Sequence, residues 1–170
     1  MGNLFCANEV IEMGIQILKN GRDYYADIAR LAKNEQVRDT FSWLADEEGR
    51  HVKTFEGMLT DVEKCEPFEI YDGEYAAYIK SLIDGYGYTK ADQGKAAAKK
   101  VKDNGEAIDM AIDIEKDTIL FIHELKNVVR ERERDIISDL IKKVQEHVTR
   151  LDHLKKCLTS TDLQTCLIPS

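Results

Sequence analysis

The chain has 170 residues, a charged fraction of 33%, only two prolines and a net charge of −8. That length suffices for one domain with a substantial core, the composition favours long helices over sheet, and the acidity argues against nucleic acid as a partner. There is no apolar run of about eighteen residues that could cross a membrane and no basic-then-apolar secretory signal at the N-terminus.

The first helix is predicted over residues 5–33. Its inward stripe is Ile11, Gly14, Leu18, Gly21, Tyr25, Ile28 and Ala32, a helical period. The second is predicted over 36–60, with Phe41, Leu44, Phe55 and Leu59 on its apolar face. Glu48 and His51 share that face, because residues three apart are neighbours on a helix. A carboxylate and an imidazole aimed at a core are costly unless something neutralises or bonds them. A divalent metal does both. Trp43 is displaced from the stripe and is expected at a subunit contact, while Asp46, Glu47, Arg50 and Glu56 read as a solvated face.

Residues 61–103 read as a long crossover. Pro67 and Gly73 open it, short helical patterns follow at 75–83 and around Ala96-Ala97-Ala98, and 85–89 reads as a turn. Its tyrosines at 71, 75, 78, 86 and 88 are assigned to packing. The third helix is predicted from an Asn104 N-cap to about Val129, with Ile108, Ala111, Glu115, Thr118, Ile122, Leu125 and Val129 inward. The mixed-charge run at 130–134 is expected to be an exposed connection. The fourth helix is predicted over 132–156, with Ile137, Leu140, Val144, His147, Leu151 and Leu154 inward. His123 and His153 fall off the inward stripes. The organisation expected is one four-helix domain over 1–156 and a tail at 157–170, whose apolar Cys166-Leu167-Ile168 docks on the bundle or on a partner subunit. Cys6, Cys65, Cys157 and Cys166 form no Cys-x-x-Cys pair, which excludes a zinc ribbon or a four-cysteine iron site. Thiols in a reducing cytoplasm are the expectation, with a Cys157–Cys166 disulfide as the alternative.

The two helix pairs are related. Residues 9–28 lie over 106–125 with six of twenty positions identical, among them Glu9/Glu106, Ile11/Ile108 and Lys19/Lys116. Residues 41–55 then lie over 137–151, which sets His51 on His147. One bundle built from two related hairpins would carry a pseudo-twofold axis.

With Gly21 to Ala29 in the first helix, Asp46-Glu47-Glu48-Gly49-Arg50-His51 in the second, Glu106 to Asp117 in the third and His147 in the fourth, the chain resembles the ferritin-like superfamily, and most closely its rubrerythrin-related branch. The resemblance covers about residues 5–156. It implies an all-α up-down-down-up bundle holding two irons, each half supplying one Glu from its first helix and Glu-x-x-His from its second. It implies chemistry on peroxide or dioxygen, or iron oxidation, and a homodimer. Rubrerythrins also carry a rubredoxin-like electron-donor domain, which this chain lacks, so a separate donor protein is implied.

The ligand pattern is incomplete. Glu48, His51, Glu115 and His147 match it, but Val144 stands where the second Glu-x-x-His carboxylate belongs, and Leu18 stands opposite Glu115. Gln16 and Asp113 are rotated from that face by roughly 160°. The expectation is therefore one divalent metal, iron first and zinc or manganese otherwise, on two carboxylates and two imidazoles of zero net charge. Tyr25 is expected to bond a ligand carboxylate or a bound water. Two other readings stand beside this one. The four groups could form a metal-free polar cluster in a structural or interaction subunit, or a carrier or sensor for one metal. The sequence leaves open whether the protein is an enzyme.

Overall fold

The computed structural model describes residues 7–61, 77–78, 81–82, 84–85, 89–127 and 129–160. Among these are five helices: α1 (Ala7–Leu31), α2 (Glu35–Asp61), the short α3 (Gln93–Ala98), α4 (Asn104–Leu125) and α5 (Glu131–Thr159). Most of the short helical pattern at 75–83, most of the turn at 85–89, and the tail from residue 161 lie outside the described residues, as do Cys6, Cys65 and Cys166. No described helix is long and apolar enough to cross a membrane.

Helix directions follow from which residues meet. Gly14 of α1 lies against Phe55 of α2 and Phe121 of α4, whereas Gly21 lies against Glu48 and Ile114. Contacts descend along α2 and α4 as they ascend along α1, so α1 is antiparallel to both. In the same way Asp109 and Glu115 of α4 meet Lys155 and His147 of α5. The result is an up-down-down-up bundle in which α1 packs on α4 and α2 on α5, the pairings that a duplicated hairpin requires. It is an all-α ferritin-like architecture.

Local chemistry fixes the helix ends. Asn34 caps α2 by accepting the Val37 N–H at 3.1 Å. Asp103, rather than Asn104, caps α4, accepting the Glu106 N–H at 2.8 Å. The extended φ of Asp103 lets its carboxylate fold back over the first turn, and Asn104 is already helical. α4 stops at Leu125, four residues short of the sequence expectation, yet Val129 beyond it is still buried. The run at 130–134 is not simply a connection. It forms the first turn of α5, and Glu133 is buried there, its Oε2 accepting the Arg130 N–H at 3.0 Å.

The inward stripes are buried as their period requires, apart from Ala32 and Leu59, which are half-buried near helix ends. The core is divided. One apolar cluster contains Ile15, Leu18, Phe55, Ile122, Ile137 and Val144. The other contains Tyr24, Tyr25, Phe41, Leu44, Ile108 and Leu151. Along α2, α4 and α5 a buried ionisable layer separates them.

The crossover is anchored to α1 by α3. Asn20, fully buried, donates to the Lys90 carbonyl at 2.8 Å and accepts the Gly94 N–H at 3.0 Å. Gly94 sits so close that a Cβ there would fall 1.9 Å from the Asn20 carbonyl oxygen, a backbone atom that cannot swing aside. Gly94→Ala is therefore expected to lower stability by about 1–3 kcal/mol through forced displacement of α3. Urea denaturation checks this, and an unchanged midpoint would contradict the docking.

Candidate metal centre

Glu48 and His51 of α2, Glu115 of α4 and His147 of α5 meet in the layer between the two apolar clusters. Each is no more than 2% exposed. Glu48 Oε1 lies 3.4 Å from His51 Nδ1 and 3.5 Å from His147 Nδ1. Glu115 Oε1 lies 3.3 Å from His147 Nδ1. The two imidazoles stack with centroids 5.4 Å apart and planes 19° from parallel. The Tyr25 hydroxyl donates to Glu115 Oε1 at 2.7 Å. That bond fixes the carboxylate's orientation and leaves the buried Oε2 without a partner.

These groups satisfy one another only in part, through the 3.3 Å contact of His147 Nδ1 with Glu115 Oε1. Six buried side-chain atoms among the described residues lack a hydrogen-bond partner, and five belong here: Glu48 Oε1, His51 Nδ1 and Nε2, Glu115 Oε2 and His147 Nε2. Orphans of this kind are costly, and their concentration in one layer calls for a ligand. Carboxylate oxygens and imidazole nitrogens are the donor set for a first-row dication. Glu48, Glu115 and His147 bring three ligand atoms within 4.8 Å of one another. The residues present therefore fit a bound metal.

Protonation responds to the same crowding. Burial pushes Glu115 up, and the neighbouring Glu48 charge adds to it. Burial acts the same way on Glu48, but the two imidazoles outweigh it and hold this carboxyl below its usual range. For His147 burial favours the neutral ring, yet Glu115 and Glu48 prevail and raise it to about 9. Burial, then Glu115 and Glu48, pushes Tyr25 well above its ordinary value, so it stays a donor.

Two residues missed by the stripe analysis belong to the surroundings. Glu47, expected on a solvated face, has a side chain only 12% exposed, and its carboxylate comes within 4.8 Å of His51 and His147 ligand atoms. Helix α2 is buried on a broader arc than its apolar residues mark, because α5 covers its flank. Trp43, expected at a subunit contact, packs its ring edge on His147 at 5.2 Å. The Arg150 guanidinium lies 4.0 Å over the Trp43 ring, closing that side with a cation–π contact. Asp46, Arg50, Glu56 and His123 are exposed as expected. His153 is half-buried, its Nε2 3.6 Å from Sγ of the buried Cys157.

The rubrerythrin family profile matches residues 9–155. The chain belongs to the rubrerythrin family. A structure from Thermotoga maritima described as a ferritin-like diiron-carboxylate protein shares the fold, with a TM-score of 0.70, 23% identity, and coverage of 91% of this chain and 97% of that one. No curated protein matches the sequence.

Within this rubrerythrin-family fold the two halves of the centre differ. The duplication places Leu18 opposite Glu115, Val144 opposite Glu48 and Ile122 opposite Tyr25. All three are buried, and all three lie in one apolar cluster. Each hairpin lacks one carboxylate of the pattern, Leu18 standing in its place in the first and Val144 in the second, where Ile122 also stands for the hydroxyl; each keeps one glutamate and one histidine. Restoring the two carboxylates with Leu18→Glu and Val144→Glu together is expected to raise iron capacity from about one towards two per chain. No gain in bound iron would count against this register.

The metal-free protein has its own signature. Raising His147 above its ordinary value near 6.5 means that its proton stabilises the fold, fully below about pH 6.5 and progressively less as pH climbs through about 9. Lowering Glu48 works in reverse, its contribution being present above the unfolded value and lost as acid protonates it. Urea midpoints of the apo protein should fall between about pH 6.5 and 9, and His147→Gln should flatten that decline. A midpoint rising through this window would contradict the pairing.

Proposed function

We propose that this rubrerythrin-family protein binds one divalent metal, iron by preference, through Glu48, Glu115, His51 and His147, and uses it for redox chemistry on peroxide or dioxygen. The five orphaned donor atoms in one dry layer carry this reading. Two carboxylates and two neutral imidazoles balance a dication, whereas a second ion would lack the two carboxylates whose positions Leu18 and Val144 occupy. An iron held there would supply one-electron exchange with a small oxidant.

The protein's own groups have defined tasks. Glu48 and Glu115 provide charge and oxygen donors, and His51 and His147 provide nitrogen donors. Tyr25 orients Glu115 by donating to Oε1 and keeps its proton through the physiological range. Trp43 under Arg150 keeps water from the edge of His147. Reducing equivalents would come from a separate electron-donor protein, since the chain contains no Cys-x-x-Cys site. We extend the proposal to a cytoplasmic homodimer, on family grounds.

A metal-free reading also has an observation in its favour, because protonated His147 between two glutamates partly balances their charge. Metal analysis separates the two. Protein purified without chelators is expected to carry about one metal per chain, and His51→Ala or His147→Ala to cut that content about tenfold or more. Unchanged content in both folded variants would rule these ligands out. Peroxide turnover with a reductant then distinguishes an enzyme from a carrier or sensor of one metal.

A further inference from the structure

Glu47 stands one residue before the carboxylate assigned to the centre, and the metal-binding reading gives it no task. Glu47, His51 and His147 nevertheless form a second set of three ligand atoms within 4.8 Å of one another. The set overlaps the inner one, Glu48, Glu115 and His147, by sharing His147. Both nitrogens of His51, 2% exposed, lack a hydrogen-bond partner. The inner set is sealed, its side chains no more than 3% exposed. Of the carboxylates in the two sets, Glu47 is the most exposed, at 12% against 3% for Glu48 and 1% for Glu115.

Resting on the metal-binding reading, we infer that Glu47 is an entry ligand: a divalent cation is first held by Glu47, His51 and His147, then passes to Glu48 and Glu115 while His147 stays in common. Charge sets the direction. The outer set offers one carboxylate and leaves a dication with net positive charge in a poorly hydrated place. The inner set offers two and cancels it. A shared imidazole also makes the two positions successive rather than simultaneous.

Arg50, one helical turn from Glu47 and 64% exposed, forms an ion pair with it. This pairing neutralises Glu47 when no cation is in transit, and a cation must displace the guanidinium to enter. The other hairpin has no such route, because the duplication places the exposed Lys143 opposite Glu47.

Cobalt(II) tests the route, because its visible bands report coordination directly. Metal-free protein is mixed with cobalt(II), the loading rate is followed by absorbance, and release into chelator is followed afterwards. Glu47→Gln, nearly isosteric, should slow loading and release alike by about tenfold, with final stoichiometry and Kd unchanged. Arg50→Gln, at an exposed position that folding does not depend on, should load faster. A Glu47→Gln protein with weaker Kd and normal loading rate would make Glu47 a resident ligand and overturn the proposal. Unchanged rates in both variants would overturn it as well. If wild-type protein takes up no cobalt, the metal-binding reading itself has failed; normal wild-type loading with unaffected variants defeats the entry route alone.

Discussion

Four ionisable side chains in a layer without water form the constraint to which the rest of this molecule is fitted. Two carboxylates at such separation repel, and burial removes the solvent that would screen them. A cation between them would turn that cost into mutual attraction. A proton on His147 also compensates them, and the two glutamates beside that ring raise its pKa. The apolar clusters on either side keep the layer dry and hold its backbone in place, so that its polar atoms cannot relax towards other partners.

The bundle converts sequence symmetry into functional asymmetry. Both hairpins present their second-helix histidine to the same layer, and the two rings stack. Each hairpin, however, keeps only one of its two carboxylates, Glu48 in the first and Glu115 in the second, and only the first keeps its tyrosine. The apolar Leu18, Ile122 and Val144 at the positions opposite Glu115, Tyr25 and Glu48 are physically coherent as a set. A single glutamate at one of them without a metal would be a buried, unpaired charge, whereas three apolar side chains continue the core. Of the six donors in the two-metal plan that the resemblance implies, four remain, two carboxylates and two imidazoles.

Much of the fold was legible in the sequence because helical period and burial are the same fact seen twice. The stripes ending in Val129 and Leu154 predict the buried faces, and the match between residues 9–28 and 106–125 predicts which helices pair. The four buried ionisable residues were legible for the same reason, since charged groups on an apolar stripe stand out against their neighbours. Glu47 and Trp43 were not. Both lie on the flank of α2, where burial is decided by the approach of α5 and not by local pattern. Glu133 is a similar case: its burial depends on the chain turning back on Arg130, which composition alone reads as solvated charge. The one-residue shift of the α4 cap to Asp103 depends on backbone geometry that two adjacent cap-forming residues leave ambiguous.

Anomalous diffraction from a crystal of protein purified without chelators is the most direct test of the central claim. The account predicts one strong peak per chain, within coordination distance of Glu48, Glu115, His51 and His147, and no density for a second ion beside Leu18 and Val144. Two peaks, or ordered water and hydrogen bonds filling the layer in place of any ion, would contradict it.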